Sequence, residues 1–372
     1  VYRNANPLKA RIACRLKKGV QKSFGTTVNL DPSNANVLGS MQVNLPYTFT
    51  NAGTLTLAAT SENHNINVSG SLFTNTGTMN IDPGPTADGN RILNLYVTNT
   101  GALNINASTT ITQTFTNSGV VTIAAGRTLT SSSGLFTQLA GLLNIQGDLS
   151  LTSDNLQTNG GIINVPGIAT VENFNGNAAT NLNIPGGTFT VQPRVSATGN
   201  PHLPQSNAIV LSGLSITAGG SLDLTNNDLA VGYSSSSVRS SILSTLISGY
   251  AQGAWTGTGI ISSTAASMRG TTLGYIDTGS QMLIDYTWIG DANLDGVVNA
   301  GDLSAMSPTG TTWATGDFNY DGKVNANDYA LFMLGSAFSG GTNISTTLPE
   351  PSMVIVPSLV CLFSARRFRK SA

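Results

Sequence analysis

Oxygen-bearing side chains recur at fixed intervals in two twelve-residue stretches near the C-terminus. The first runs Asp291-Ala-Asn293-Leu-Asp295-Gly296-Val297-Val298-Asn299-Ala-Gly-Asp302. The second runs Asp317-Phe-Asn319-Tyr-Asp321-Gly322-Lys323-Val324-Asn325-Ala-Asn-Asp328. Each places an oxygen donor at positions 1, 3, 5, 9 and 12 and Gly at position 6, which is the pattern of a loop that wraps a calcium ion. A hard cation takes six to eight oxygens, and one short loop supplies them only by curling round the ion. Gly296 and Gly322 permit the sharp turn. Asp291, Asn293 and Asp295, with Asp317, Asn319 and Asp321, offer side-chain oxygens. Val297 and Lys323 offer main-chain carbonyls, so their side chains are free to differ. Asn299 and Asn325 hold the position that often acts through a water, and Asp302 and Asp328 close the shells. The reading expects two Ca2+ ions. A pair of metal-free turns is the competing reading, because Asp, Asn and Gly favour turns anyway. Two full matches, each followed by an apolar stretch, weigh against it.

These loops follow the EF-hand pattern, except that both close with Asp, one methylene shorter than the usual Glu. The 26-residue offset and the Asp closures resemble a type I dockerin over residues 287–338. The resemblance implies that each loop leads directly into a helix. Leu303 and Met306 fit the first helix; Tyr329, Leu331, Phe332, Leu334 and Phe338 fit the second. Val298 and Val324, apolar at position 8, could meet in a short bridge. The resemblance also implies a cohesin-like partner, read by residues late in each loop. Ala300, Gly301, Ala326 and Asn327 occupy those places and are chemically bland, so a purely structural calcium-stapled module stands beside the docking one.

The body that must carry these loops is repetitive. A unit Gly-x-Φ-x-Φ, with Φ apolar, recurs from Gly53 to Leu224, its glycines at 53, 77, 101, 119, 141, 161, 187 and 220. The period-two alternation puts both apolar residues on one face of a strand. Thr, Asn or Asp stands between them, on the wet face. Four copies place Asn two residues before the glycine (Asn51, Asn75, Asn99, Asn117), where stacked copies could build an amide ladder. One strand per unit at a period of about twenty residues points to a solenoid, since each unit buries its apolar face only against its neighbours. The predicted fold is mainly β: a parallel β-helix, right-handed by the crossover rule, then a small α-helical calcium module and a short apolar tail. An antiparallel sandwich is the alternative. The repeats are similar in pattern to those of bacterial autotransporter-type surface proteins.

The boundaries follow. Residues 1–25 form a basic segment expected to be disordered, 26–230 the solenoid, and 231–286 a capping segment with a helix near Val238–Ile247 and a strand near Met282–Trp288. Trp255 and Tyr275 are expected to share a small core there. Residues 287–338 form the calcium module, 339–348 a linker and 349–372 a tail. Pro349-Glu350-Pro351 precedes an apolar run, Met353 to Ala365, which ends in Arg366, Arg367, Arg369 and Lys370. This tail resembles a PEP-CTERM sorting signal, which implies an exosortase-type processing protease, a cell-envelope, cell-surface or extracellular destination, and an association with extracellular polysaccharide. As a helix the run spans about 20 Å against a hydrocarbon core of roughly 30 Å, so it suits a transient or short membrane segment. A frayed C-terminus is the alternative.

Composition excludes some functions. Residues 1–30 carry seven Lys and Arg and no acid, and residues 366–370 carry four more, so the central body is acidic. An acidic body argues against a nucleic-acid partner. Cys14 and Cys361 lie outside that body, so it holds no disulfide. The chain begins with Val1 and has no apolar stretch near its start, so the export signal is expected to lie outside the given sequence. The two histidines, His64 and His202, belong to no nucleophile or zinc motif. Glu62, Asp82, Asp88, Asp148, Asp154 and Glu172 fall mostly in separate turns, and nothing singles out a catalytic pair. No catalytic residue is named. The leading expectation is an exported structural or adhesive solenoid protein. The alternative is a polysaccharide-acting enzyme, or a carbohydrate-binding accessory, tethered through its dockerin to a scaffold.

Overall fold

Alternating apolar residues build the body of the protein. The computed structural model describes residues 28–30, 41–45, 48–58, 65–84, 90–131, 135–194 and 208–339. Among these, nine parallel strands form one sheet, running through Thr54–Leu57, Thr78–Ile81, Ala102–Ile105, Val120–Ile123, Leu142–Ile145 and Gly161–Asn164 to Thr180–Pro185 and Gly213–Thr217. In register, Leu55, Met79, Leu103, Val121, Leu143, Ile163, Leu182 and Leu214 stack into one buried column. Their neighbours Asn80, Asn104, Thr122, Asn144 and Asn164 form the outer row, half-exposed. This is the parallel β-solenoid, of about eight turns, that the repeat predicts.

A thirteen-stranded sheet forms the rest of the wall. Short strands occupy separate stretches of it and long strands span two: Asp148–Thr158 pairs with Thr128–Ser131 and Phe136–Gln138, and Ile66–Asn75 with Met41–Asn44 and Thr48–Asn51. Those long strands shift register, between Ser69 and Leu72 and between Leu151 and Asn155, as expected where a strand turns a corner. The repeat copies at Gly187 and Gly220 belong to this sheet, as Thr188–Val191 and Ser221–Asp223, and not to the nine-stranded one. Their wider sequence spacing reflects that change of face.

The corner between the two sheets explains the Asn-x-Gly signature. Asn51 Nδ2 donates to Asn75 Oδ1, Asn75 to Asn99 and Asn99 to Asn117, each at 2.7 Å, and Asn117 donates to Gln138 Oε1 at 2.9 Å. All five side chains are buried. A side-chain carbon on Gly101 would overlap the carbonyl oxygen of Gly77 one turn below, so stacking distance demands glycine there.

The last turn is covered. Helix α1 (Ser236–Tyr250), N-capped by the Ser235 hydroxyl, buries Ile242, Leu246 and Tyr250 and packs on the final strand, Gly259–Ile261. Helix α2 (Ser263–Ser267) follows. A four-stranded sheet orders Ile209–Leu211, Leu229–Gly232, Gln281–Trp288 and Thr271–Asp277, with antiparallel pairing in the last two steps. Helices α3 (Ala300–Ala305) and α4 (Ala326–Ser339) complete the described chain. α3 is short: Met306 is already extended, so of the two residues expected in that helix only Leu303 lies within it. The described residues all belong to one compact unit. The basic segment 1–25, the linker beyond Ser339 and the tail 349–372, with Pro349, Glu350, Pro351, Arg366, Arg367 and Arg369, lie outside the described residues. Among the described residues, no helix is long and apolar enough to cross a membrane.

Candidate metal centre

Each acidic loop is organised by its first and last carboxylates. Asp291 is fully buried; its Oδ1 accepts from Asp295 N at 3.1 Å and its Oδ2 from Gly296 N at 2.9 Å. Asp317 does the same with Asp321 N (3.1 Å) and Gly322 N (2.9 Å). Gly296 and Gly322 both have positive φ, 84° and 78°, as position 6 requires. Asn293 Oδ1 accepts from Asp295 N at 3.0 Å, and Asn319 Oδ1 from Asp321 N at 2.9 Å. Asp295 and Asp321 each accept from the backbone N–H two residues on, at 2.9 Å.

The closing aspartates do a second job. Asp302 Oδ1 accepts from Ala292 N at 2.9 Å, drawing the end of the loop onto its start, while Oδ2 accepts from Asn299 N at 2.9 Å. Asp328 repeats this with Phe318 N and Asn325 N, both at 2.9 Å. Asn299 and Asn325 cap the following helices through Gly301 N (2.7 Å) and Asn327 N (2.9 Å). Asp thus reaches the helix cap that a longer Glu would serve differently. Val298 and Val324 are buried, but no bridge joins them; Val298 N donates to Ser339 Oγ at 3.3 Å. The side chains of Val297 and Lys323 are exposed, as are Ala300, Gly301, Ala326 and Asn327.

No protein family matches the chain, and no curated protein or solved structure shows significant similarity to it. Function therefore rests on the site.

Burial pushes the Asp291 carboxyl up to about 6, with the neighbouring Asp302 adding to the effect. Burial likewise raises Asp302 and Asp317, with Asp295 reinforcing the first and Asp328 and Asp321 the second. Carboxylates that raise one another in a desolvated loop create a negative field that a cation relieves. The donors are all oxygen, which suits a hard cation and not a soft one. Among the described residues, no group of three or more His, Cys, Asp or Glu side chains is gathered closely enough to hold a metal by itself. Asparagine and main-chain oxygens are needed to complete either shell.

Several contributors carry no motif. Thr287 Oγ1 donates to Asp291 Oδ2 at 2.5 Å, and Trp313 Nε1 donates to the Asp291 carbonyl at 2.7 Å. Their offsets, four residues before each loop, are the only sequence signal. Outside the loops, Asp82 takes a hydrogen bond from Asn106 Nδ2 (2.8 Å), Asp148 stands in register between Thr128 and Ile168, and Glu172 is exposed. Two cationic residues bond to these aspartates: Arg91 Nη2 donates to the Asp82 carbonyl at 3.2 Å, and the Arg127 carbonyl accepts from Asp148 N at 2.8 Å. His64, His202, Glu62, Asp88 and the Asp154 side chain lie outside the description.

Proposed function

We propose that the protein is an exported structural or adhesive β-solenoid whose C-terminal loops bind two Ca2+ ions in a dockerin-like module, and that its PEP-CTERM-like tail directs it to the cell envelope. The observation that carries the calcium reading is the duplicate hydrogen-bond network. Two loops of different sequence at positions 2, 4, 7 and 11 fold alike around the same oxygen donors. In each loop, positions 1, 3, 5, 9 and 12 with the position-7 carbonyl would hold the ion, and the ion would supply the countercharge for desolvated carboxylates.

The structural or adhesive role is supported by the uncharged Thr and Asn rows on the solenoid wall. An exosortase-type protease and an extracellular polysaccharide are the partners this reading implies, and a cohesin-like domain is the one implied by the dockerin resemblance. Calorimetric titration of the metal-free full chain tests the metal assignment: two Ca2+ per chain are expected, and none would overturn it. Incubating the calcium-loaded chain with a panel of polysaccharides tests the role. No release of reducing ends or unsaturated products is expected, and release from any one glycan would replace the structural reading with an enzymatic one.

A further inference from the structure

Position 4 of each loop is occupied by a large apolar or aromatic residue, Leu294 and Tyr320, in a left-handed backbone conformation (φ 58° and 60°). For a residue with a side chain that conformation is unfavourable, so something must hold it. What holds it is the loop. The Asp295 N–H bonds to Asp291 Oδ1 and Asn293 Oδ1 close around Leu294, and the Asp321 N–H bonds to Asp317 Oδ1 and Asn319 Oδ1 close around Tyr320. Both side chains are buried, and they reach adjacent residues of the strand Thr271–Asp277, Tyr320 at Leu273 and Leu294 at Gly274. The Tyr320 hydroxyl donates to the Leu273 carbonyl. Leu294 and Trp313 lie so close to Gly274 that a side-chain carbon there would come within 2.7 Å and 2.6 Å of them.

Tyr320 also leads back to the solenoid end. Its ring lies 5.0 Å, centroid to centroid, from Tyr250 at the end of α1, 6.1 Å from Tyr275 and 6.5 Å from Trp255. Tyr250 and Trp255 meet edge-on at 5.2 Å. α1 in turn lies on Gly259–Ile261 so tightly that a side-chain carbon on Gly249 would overlap the Ile260 carbonyl oxygen. A continuous packed path thus runs from both loops, through their position-4 residues, into the cover over the last solenoid turn.

We infer that Leu294 and Tyr320 are pegs through which metal loading of the loops locks the C-terminal cap of the solenoid, so that the cap, residues 236–288, closes and opens with the loops. The inference rests on the calcium reading above. The residues on either side of each peg are the candidate ligands Asn293, Asp295, Asn319 and Asp321. Wrapping an ion fixes the very backbone that aims the peg, and releasing it frees the peg from the strained conformation. The surface at Trp313, Phe318, Tyr320 and Phe332 is therefore committed to this chain's own cap.

Hydrogen exchange by mass spectrometry on the full chain, in chelator and across a calcium titration, tests this. Peptides covering 236–250 and 271–288 are expected to gain protection with the same midpoint as the loop peptides. The gain should reach about a hundredfold for each loop coupled to the cap at calcium a hundred times the Kd, while peptides covering 102–123 do not change. A response confined to the loop peptides would overturn the lock and leave the calcium reading standing; no response anywhere, with no calcium bound by calorimetry, would sink both. Tyr320→Ala is expected to lower the cap's gain at least tenfold while the loop peptides keep theirs. An undiminished gain would overturn the peg, and if that variant does not fold the wild-type titration decides alone.

Discussion

The indole N–H of Trp313 donates to the main-chain carbonyl of Asp291 at 2.7 Å, tying the connector before the second loop to the first residue of the first. Trp313 is fully buried and lies 5.0 Å from Phe318 and 5.7 Å from Tyr320, ring to ring. Trp313→Phe keeps a ring but leaves the Asp291 carbonyl without this donor. A buried acceptor left unmatched costs about 1–3 kcal/mol. The variant should lower the thermal midpoint and weaken calcium binding at the first loop more than at the second. Equal weakening at both loops, read by calorimetry, would argue against a direct tie to Asp291.

Asp291→Ala combined with Asp317→Ala removes the carboxylate that each loop folds around. The sequence alone expects only residues 287–338 to unfold. The packing of Tyr320 on Tyr250 and of Leu294 at Gly274 extends that expectation to the cap. The double variant should show no calcium-dependent shift in melting temperature and should expose Trp255 to quenchers. A double variant as stable as the wild type, with and without calcium, would dismiss the metal assignment.

Asn99 sits mid-ladder, donating to Asn117 Oδ1 (2.7 Å) and Val120 O (3.1 Å) and accepting from Asn75. Asn99→Ala strands buried partners above and below, at a cost of about 3 kcal/mol. Asn104, which donates to Asn80 on the wet face, offers a control. Asn104→Ala should cost less than about 1 kcal/mol, because water replaces the lost bond. Urea midpoints measure both, and equal losses would contradict an internal role for the ladder.

The solenoid was legible because its cause is local and repeated. Leu103 and Ile105 alternate with Asn104, and Asn99 precedes Gly101 by the interval the corner needs, so strand, facing and turn are all written within seven residues. The likeness of the two acidic loops was legible for the same reason. The face on which each copy lands was not, because Gly187 and Gly220 open the same Gly-x-Φ-x-Φ pattern in a different sheet. The pegs were hidden too. Leu294 and Tyr320 fall at a position that no ligand rule constrains, and their partners Gly274 and Tyr250 are 20 and 70 residues away. Such contacts follow from the packing of the cap and leave no periodic trace.

The cap also sets an alkaline limit on stability. Burial, reinforced by the carboxylates of Asp328 and Asp317, pushes Tyr250 up to about 12. Tyr286 is raised as well, chiefly by burial, although its bond to Thr271 Oγ1 (3.0 Å) pulls it back. Unfolding returns both phenols to their ordinary value near 10. Between those values the folded chain binds more protons than the unfolded one, so stability falls as pH rises. The penalty is absent below about pH 10 and grows by about 1.4 kcal/mol per pH unit for each such tyrosine until its folded pKa is reached. Absorbance at the tyrosinate band, followed against pH, should show a late-ionising group that disappears in denaturant, and melting temperatures should decline from about pH 10 upward. Tyr250→Phe should remove part of that decline. A single titration step near 10 in the folded chain would mean that the aromatic cluster under α1 is open to solvent.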